Sequence, residues 1–179
     1  MANQSEDFFL DLRNLSRRPG EMAKRQLVIP APGDLAVGLV SVLEGSEMTI
    51  SLSCQSAGDG VLVQGQVDAT LIGQCGRCLG ELQQGQSFDF QELYFYPGKG
   101  PESEEDGALF LNDGQVDLEP VLREAIVLSL PFNPLCADDC AGLCPLCGTN
   151  LNQQPSHNHP EQLDARWQKL QELGSQSGE

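Results

Sequence analysis

The chain has 179 residues, 26 Asp and Glu against 10 Lys and Arg for a formal charge of −16, 40% hydrophobic residues and seven cysteines. That length gives room for one domain with a real core and is too short for a (β/α) barrel enzyme. The charge argues against a broad phosphate-binding surface, because nucleic-acid binding is driven mainly by cations that displace counterions.

No window supplies the ~18 to 20 uninterrupted apolar residues of a membrane span. The start, MANQSEDFFLDLRN, carries charges where a signal peptide needs its apolar stretch. A cytoplasmic chain without membrane attachment is therefore expected. In a reducing compartment seven cysteines point to metal ligation or core packing before a disulfide framework.

Phe8, Leu10 and Leu12 alternate with polar residues as in a half-buried strand, and the turn Arg18-Pro19-Gly20 follows. Lys24 to Pro30 reads as a second short strand, and an apolar run covers Leu35 to Leu43. From Met48 the apolar residues fall on even positions, Met48, Ile50, Leu52 and Cys54, with Thr49, Ser51 and Ser53 between them. Cys54 belongs to the core by this phase. After the turn residues Ser56 to Gly60 the odd positions take over, with Val61, Val63, Val67, Ala69 and Leu71 facing one way. A further strand runs roughly from Gln86 to Tyr96. Strands at this spacing favour antiparallel pairing.

The period changes near Asp117, an expected N-cap, with Pro120 in the first turn and Leu118, Val121, Leu122, Ala125 and Ile126 at helical spacing. This helix should end before Pro131. A second short helix is expected from near Pro160, where Leu163, Trp167 and Leu170 fall on one face. The fold class is thus α+β: an antiparallel β-sheet or small barrel with one packed helix, a C-terminal Cys-rich zinc-binding segment and a short helix. The expected divisions are a β-rich body over 1–131 with its helix near 117–130, a Cys-rich segment over 132–152, and a tail over 153–179 with a helix near 160–172.

Charge is uneven along the chain. Arg13, Arg17, Arg18, Lys24 and Arg25 fall within thirteen positions whose only acid is Glu21, while residues 101–124 hold eight acids against Arg123 alone. The basic segment reads either as a solvated turn or as an anchor for phosphates or an acidic partner.

Six cysteines form two groups, Cys75-Gly-Arg-Cys78 and Cys136-x3-Cys140-x3-Cys144-x2-Cys147. A Cys-x-x-Cys turn followed by a small residue brings two thiolates to one ion, and Cys144-Pro-Leu-Cys147-Gly148 fits that pattern. Two arrangements are open. The favoured one places Cys136, Cys140, Cys144 and Cys147 around one structural zinc; the alternative pairs Cys75 and Cys78 with Cys144 and Cys147 as a two-knuckle ribbon. In the favoured arrangement Cys75, in phase with the inward positions of its strand, is simply core.

Cys140-x3-Cys144-x2-Cys147 also has the spacing of the radical S-adenosylmethionine motif, but the 32 residues after Cys147 are too few for the barrel such enzymes need. His157 and His159 could substitute as ligands, but the single residue between them suits few single-metal sites, and they read as surface residues of the tail. A closed thiolate site has no open position for substrate, and two histidines beside it offer little for a catalytic triad, so no enzyme and no small-molecule substrate are expected.

Several segments resemble the YceD family, the large ribosomal RNA subunit accumulation proteins, in the form found in high-GC Gram-positive bacteria. They are DLRNLSRRPGEM, GQCGRCLGEL, ELYFYP, VDLEPVLREAIVLSLPFNPLC, CAGLCPLCGTNLN and LDARWQKL, in family order over nearly all the chain. Ala165 stands where relatives often have proline before Arg166-Trp167.

The resemblance implies a cytoplasmic, non-enzymatic factor for accumulation of 23S ribosomal RNA, acting in large-subunit assembly or precursor processing. Some family branches keep the Cys-x-Arg-Cys turn without the full C-terminal quartet, so the two groups are treated as separable. By the family's motif Cys75, Arg77 and Cys78 carry over to a hairpin site, and Cys136, Cys140, Cys144 and Cys147 to a zinc site. Arg77, between two cysteines, is expected to reach a phosphate or carboxylate, or to pair within the protein's own acidic surface, with Arg13, Arg17 and Arg18 as further contact residues. The expected partner is a large-subunit precursor, met through a basic ribosomal protein or through ribosomal RNA. Two other functions fit the cysteines: a zinc-dependent protein-interaction module, and a thiol redox or zinc-responsive regulator using Cys75 and Cys78.

Overall fold

The structure is a computed structural model that describes residues 7–15, 20–101 and 107–160. Arg17, Arg18 and the helix expected near 160–172 fall outside these residues, apart from Pro160. Among the described residues nine strands and one helix follow in chain order: β1 (Phe9–Asp11), β2 (Met22–Pro30), β3 (Ala36–Val37), β4 (Val40–Val42), β5 (Glu47–Ser56), β6 (Gly60–Gln74), β7 (Glu81–Phe95), β8 (Leu109–Phe110), β9 (Gln115–Asp117) and α1 (Glu119–Ser129). Among the described residues no helix is long and apolar enough to cross a membrane.

The main sheet is built around β6. One edge of β6 pairs with β7 along its whole length, from Gly60 opposite Phe95 to Gln74 opposite Glu81. Its other edge is shared, first by β5 (Ser56 opposite Val61 to Thr49 opposite Asp68) and then by β4 (Val42 opposite Leu71 to Val40 opposite Gly73). The strands β2 and β3 extend the sheet beyond β5 and β4, and β8 adds a short parallel pairing to β7. A separate two-stranded antiparallel sheet joins β1 to β9. Among the described residues the architecture is therefore the mostly antiparallel sheet with one packed helix that the sequence periodicities predict.

That alternation fixes the register. Met48, Ile50, Leu52 and Cys54 of β5 and Val61, Val63, Val67, Ala69 and Leu71 of β6 are all buried. A slip of one residue in β6 would put Leu62, Gln64, Asp68 and Ile72 in place of Val61, Val63, Val67 and Leu71; at about 2 kcal/mol for each apolar side chain lost from the core, the two polar replacements cost on the order of 4 kcal/mol before the desolvation of an amide and a carboxylate is added. Gly73 allows β4 to lie close, because a Cβ there would stand 2.1 Å from the carbonyl oxygen of Leu39.

The helix α1 buries Val121, Leu122 and Ile126 and packs against β7. Its N-cap is Leu118, one residue later than expected, and it makes no side-chain cap. Asp117 is instead the last residue of β9, from which its carboxylate accepts the N–H of Glu119 at 3.0 Å. Pairing with β1 holds Asp117 in strand geometry, so tertiary pairing overrides the local capping preference. The helix ends at Ser129; the C-cap Leu130 still donates its N–H to the carbonyl of Ile126 and is itself the extended residue that Pro131 demands before it. The chain then passes through Pro134 to the tip of the β6–β7 hairpin, which determines the geometry of the cysteines.

Candidate metal centres

The hairpin between β6 and β7 turns through Cys75-Gly76-Arg77-Cys78-Leu79-Gly80. The N–H of Cys75 donates to the carbonyl of Gly80, and the N–H of Leu79 to the carbonyl of Cys75, both at 2.9 Å. Leu79 adopts a left-handed φ of 56° to complete the turn. The N–H of Gly76 donates to the carbonyl of Pro134 at 2.7 Å and so docks the segment leaving α1 against the hairpin.

This docking brings two more thiols to the tip. The sulfurs of Cys75 and Cys140 are 3.8 Å apart and those of Cys78 and Cys136 3.7 Å. All four sulfurs lie within 4.8 Å of one another. A tetrahedral ion with metal–sulfur bonds of about 2.3 Å requires sulfurs about 3.8 Å apart, so both measured pairs match opposite edges of such a site. Cys75, Cys78 and Cys140 are buried and Cys136 is exposed; Leu135 and Leu143 pack around them.

The electrostatics point the same way. The Cys75 thiol is held down to about 6, chiefly by the backbone N–H of Cys78 and then by those of Cys136 and Arg77. Cys136 is pushed up to about 12, first by the thiol of Cys140 and then by those of Cys78 and Cys75. Cys140 is lowered, chiefly by the side-chain amide of Asn152, which lies 3.3 Å from its sulfur. Four crowded thiols cannot all ionise against one another, and a divalent cation at their centre removes that conflict.

Arg77 serves this cluster. Its Nη1 donates to the carbonyl oxygens of Cys140 at 3.1 Å and Asp138 at 3.3 Å. The guanidinium thus clasps the backbone of the protein's own cysteine loop. The loop can approach because Gly142 lacks a side chain: a Cβ there would be 3.2 Å from the carbonyl oxygen of Arg77.

A second cluster holds Cys144, Cys147, His157 and His159, whose ligand atoms also lie within 4.8 Å of one another. Its turn repeats the first. The N–H of Cys144 donates to the carbonyl of Thr149, and the N–H of Gly148 to the carbonyl of Cys144, both at 2.8 Å. Gly148 has the left-handed φ, 74°, at the place that Leu79 holds in the hairpin. Cys147 is held down to about 6, chiefly by the Thr149 hydroxyl, then by the Thr149 N–H and His159.

Both ligand sets read from the sequence are corrected by this geometry. Cys136, Cys140, Cys144 and Cys147 are divided between two clusters, and Cys75 and Cys78 are joined by Cys136 and Cys140 where the alternative set had Cys144 and Cys147. Cys75 is buried as expected, among thiols and not in the main apolar core. His157 and His159 converge on a thiolate and are not merely tail residues. Arg13 lies elsewhere, with its Nε 3.0 Å from both carboxylate oxygens of Asp11, which its guanidinium holds down to about 2. Cys54 sits fully buried in the core of the sheet, as its phase predicts.

Comparison with known proteins places the chain in a wider group. Residues 63–174 match the family described as Large ribosomal RNA subunit accumulation protein YceD. The chain belongs to the YceD family. Within that family match fall both Cys-x-x-Cys turns and both clusters. Uncharacterized proteins of Mycobacterium tuberculosis and Mycobacterium bovis are each 38% identical over 166 residues, 92% of this YceD chain and 80% of theirs. One of Mycobacterium leprae is 34% identical over 165 residues, 91% of this chain and 76% of its own. No solved structure matches.

Proposed function

We propose that this chain is a non-enzymatic, cytoplasmic factor for accumulation of 23S ribosomal RNA, acting in assembly of the large ribosomal subunit or processing of its RNA. The observation that carries the reading is the YceD family match over residues 63–174. Zinc is the structural ion of the four-thiolate cluster: thiolate donors in tetrahedral spacing select zinc over hard cations, and four protein ligands leave no open position for a reaction. The ion ties the β6–β7 tip to the segment after α1. Its partner is a large-subunit precursor. A net charge of −16 favours contact through a basic ribosomal protein, with the Arg13 to Arg25 segment as the local site for RNA phosphates.

The test is depletion of the protein in its own host, with large- and small-subunit ribosomal RNA measured separately and lysates resolved on gradients. The expected result is a selective deficit of the large-subunit RNA, with the tagged protein cosedimenting with large-subunit precursors. An unchanged RNA ratio with all the protein at the top of the gradient overturns the proposal.

A further inference from the structure

We propose that Cys144, Cys147, His157 and His159 bind a second divalent metal ion, zinc by its donor set, so that each chain carries two ions in two separate centres. The proposal is independent of the ribosomal role.

The first observation is the repetition of the turn. In both Cys-x-x-Cys segments the first cysteine's N–H bonds to the carbonyl five residues on, its own carbonyl accepts the N–H four residues on, and that fourth residue has a left-handed φ. Such a turn presents two sulfurs and requires two further donors. The hairpin turn takes Cys136 and Cys140, which leaves the other turn without a thiol partner among the described cysteines, since Cys54 lies in the core. Two histidines occupy the corresponding positions.

The second observation is a triangle of contacts. The Nε2 atoms of His157 and His159 are 2.9 Å apart, and the sulfur of Cys147 lies 3.1 Å from one and 3.2 Å from the other. An imidazole nitrogen has a single in-plane lobe that holds either a proton or a lone pair. If the histidines bond to each other, neither nitrogen is left for the sulfur; if both bond to the sulfur, the two nitrogens, their lobes already used, are pressed to 2.9 Å with no bond between them. One cation inside the triangle serves every lobe at once. With metal–sulfur bonds of about 2.3 Å and metal–nitrogen bonds of about 2.05 Å, a tetrahedral site needs edges of about 3.5 Å from sulfur to nitrogen and about 3.3 Å between nitrogens. The observed edges need to open by only a few tenths of an ångström.

The third observation is the composition of the segment that carries the histidines. Residues 148–160, GTNLNQQPSHNHP, contain one aliphatic side chain, Leu151. The segment nevertheless folds back in turns, with the N–H groups of Gln153 and Gln154 on the carbonyl of Asn150 and that of His157 on the carbonyl of Gln154. A polar segment of this kind has no core to hold it, and metal binding supplies the missing folding free energy. Two thiolates and two neutral imidazoles leave a zinc site uncharged, whereas four thiolates leave one doubly negative, so the two centres differ in charge as well as exposure.

The experiment measures zinc per chain by native mass spectrometry on the full-length protein and on the double variant H157A/H159A. Two ions are expected in the wild type and one in the variant, whereas Cys75→Ser loses the other ion. Cobalt titration of the wild type is the second readout and does not depend on variant folding. Its saturated spectrum should be the sum of a four-sulfur and a two-sulfur, two-nitrogen tetrahedral site. A single ion in the wild type, two ions retained in the double variant, or a cobalt spectrum with only the four-sulfur signature overturns the proposal.

Discussion

The guanidinium of Arg77 donates to the carbonyl oxygen of Cys140 at 3.1 Å, so a cation on the hairpin holds the backbone of a residue whose sulfur belongs to the four-thiolate cluster. Replacing Arg77 with Ala removes this clasp and the contact to Asp138. Because the site is partly exposed, the expected loss is about 1 kcal/mol, or roughly fivefold faster surrender of metal to a chelator. A stopped-flow competition with a chromophoric chelator measures it; an unchanged rate would show that the clasp is incidental.

The two turns carry different residues at their left-handed position, which sets up a paired test. Gly148→Ala places a Cβ in a conformation that costs it about 1 kcal/mol. Leu79→Gly removes such a cost and adds chain entropy to the unfolded state of similar size, so its net effect is close to zero. Urea denaturation of both variants should show a loss for Gly148→Ala and none for Leu79→Gly.

Tyr94 lies fully buried in β7 and donates its hydroxyl to the carbonyl of Asp117 at 2.6 Å, joining the main sheet to the end of β9. Tyr94→Phe leaves that carbonyl without this donor. Equilibrium unfolding should report a loss of about 1 to 2 kcal/mol without loss of metal, since the site is remote from both clusters.

Burial pushes the Cys54 thiol up to about 11 from its ordinary 9. Above pH 9 the unfolded chain therefore releases this proton while the folded chain retains it. The contribution of Cys54 is fully present below pH 9 and declines as pH rises toward 11, by on the order of 2 kcal/mol. Cys54→Val should flatten the decline between pH 9 and 11 in denaturation midpoints; a slope identical to that of the wild type contradicts this origin.

The apolar core of the sheets and the thiol cluster are separate bodies of buried side chains. Chelation should therefore abolish hydrogen-exchange protection at residues 75–80 and 133–152 and leave the central pairing of β5, β6 and β7 protected. Uniform loss of protection through β6 would instead make the metal a condition of the whole fold.

The strands were legible because their periodicity is local: Met48 to Cys54 and Val61 to Leu71 each alternate in one phase, and each phase is buried. The Cys-x-x-Cys turns were legible for the same reason, since each is closed by hydrogen bonds spanning four or five residues. The partner of each turn was not. Cys136 and Cys140 lie close to Cys144 in the chain, but the exit from α1 carries them to Cys75 and Cys78 through the Gly76–Pro134 bond, a contact without a sequence pattern. A usable signal was present in His157 and His159, two donors within reach of a Cys-x-x-Cys turn that otherwise has only its own two sulfurs. The misplaced helix cap has a similar cause, because β1 pairing keeps Asp117 in a strand.

The sulfur of Cys78 meets that of Cys136 across 58 positions of chain, and Cys75 meets Cys140 across 65. On a growing polypeptide the hairpin turn emerges from the exit tunnel well before its partners are translated. In the proposed centre, an ion captured early would have two sulfurs and solvent and would remain open to exchange. Completion of the centre would wait until α1 has been synthesised and has delivered the later cysteines, so that a fully ligated ion at that tip would record that the sheet and helix have already come together.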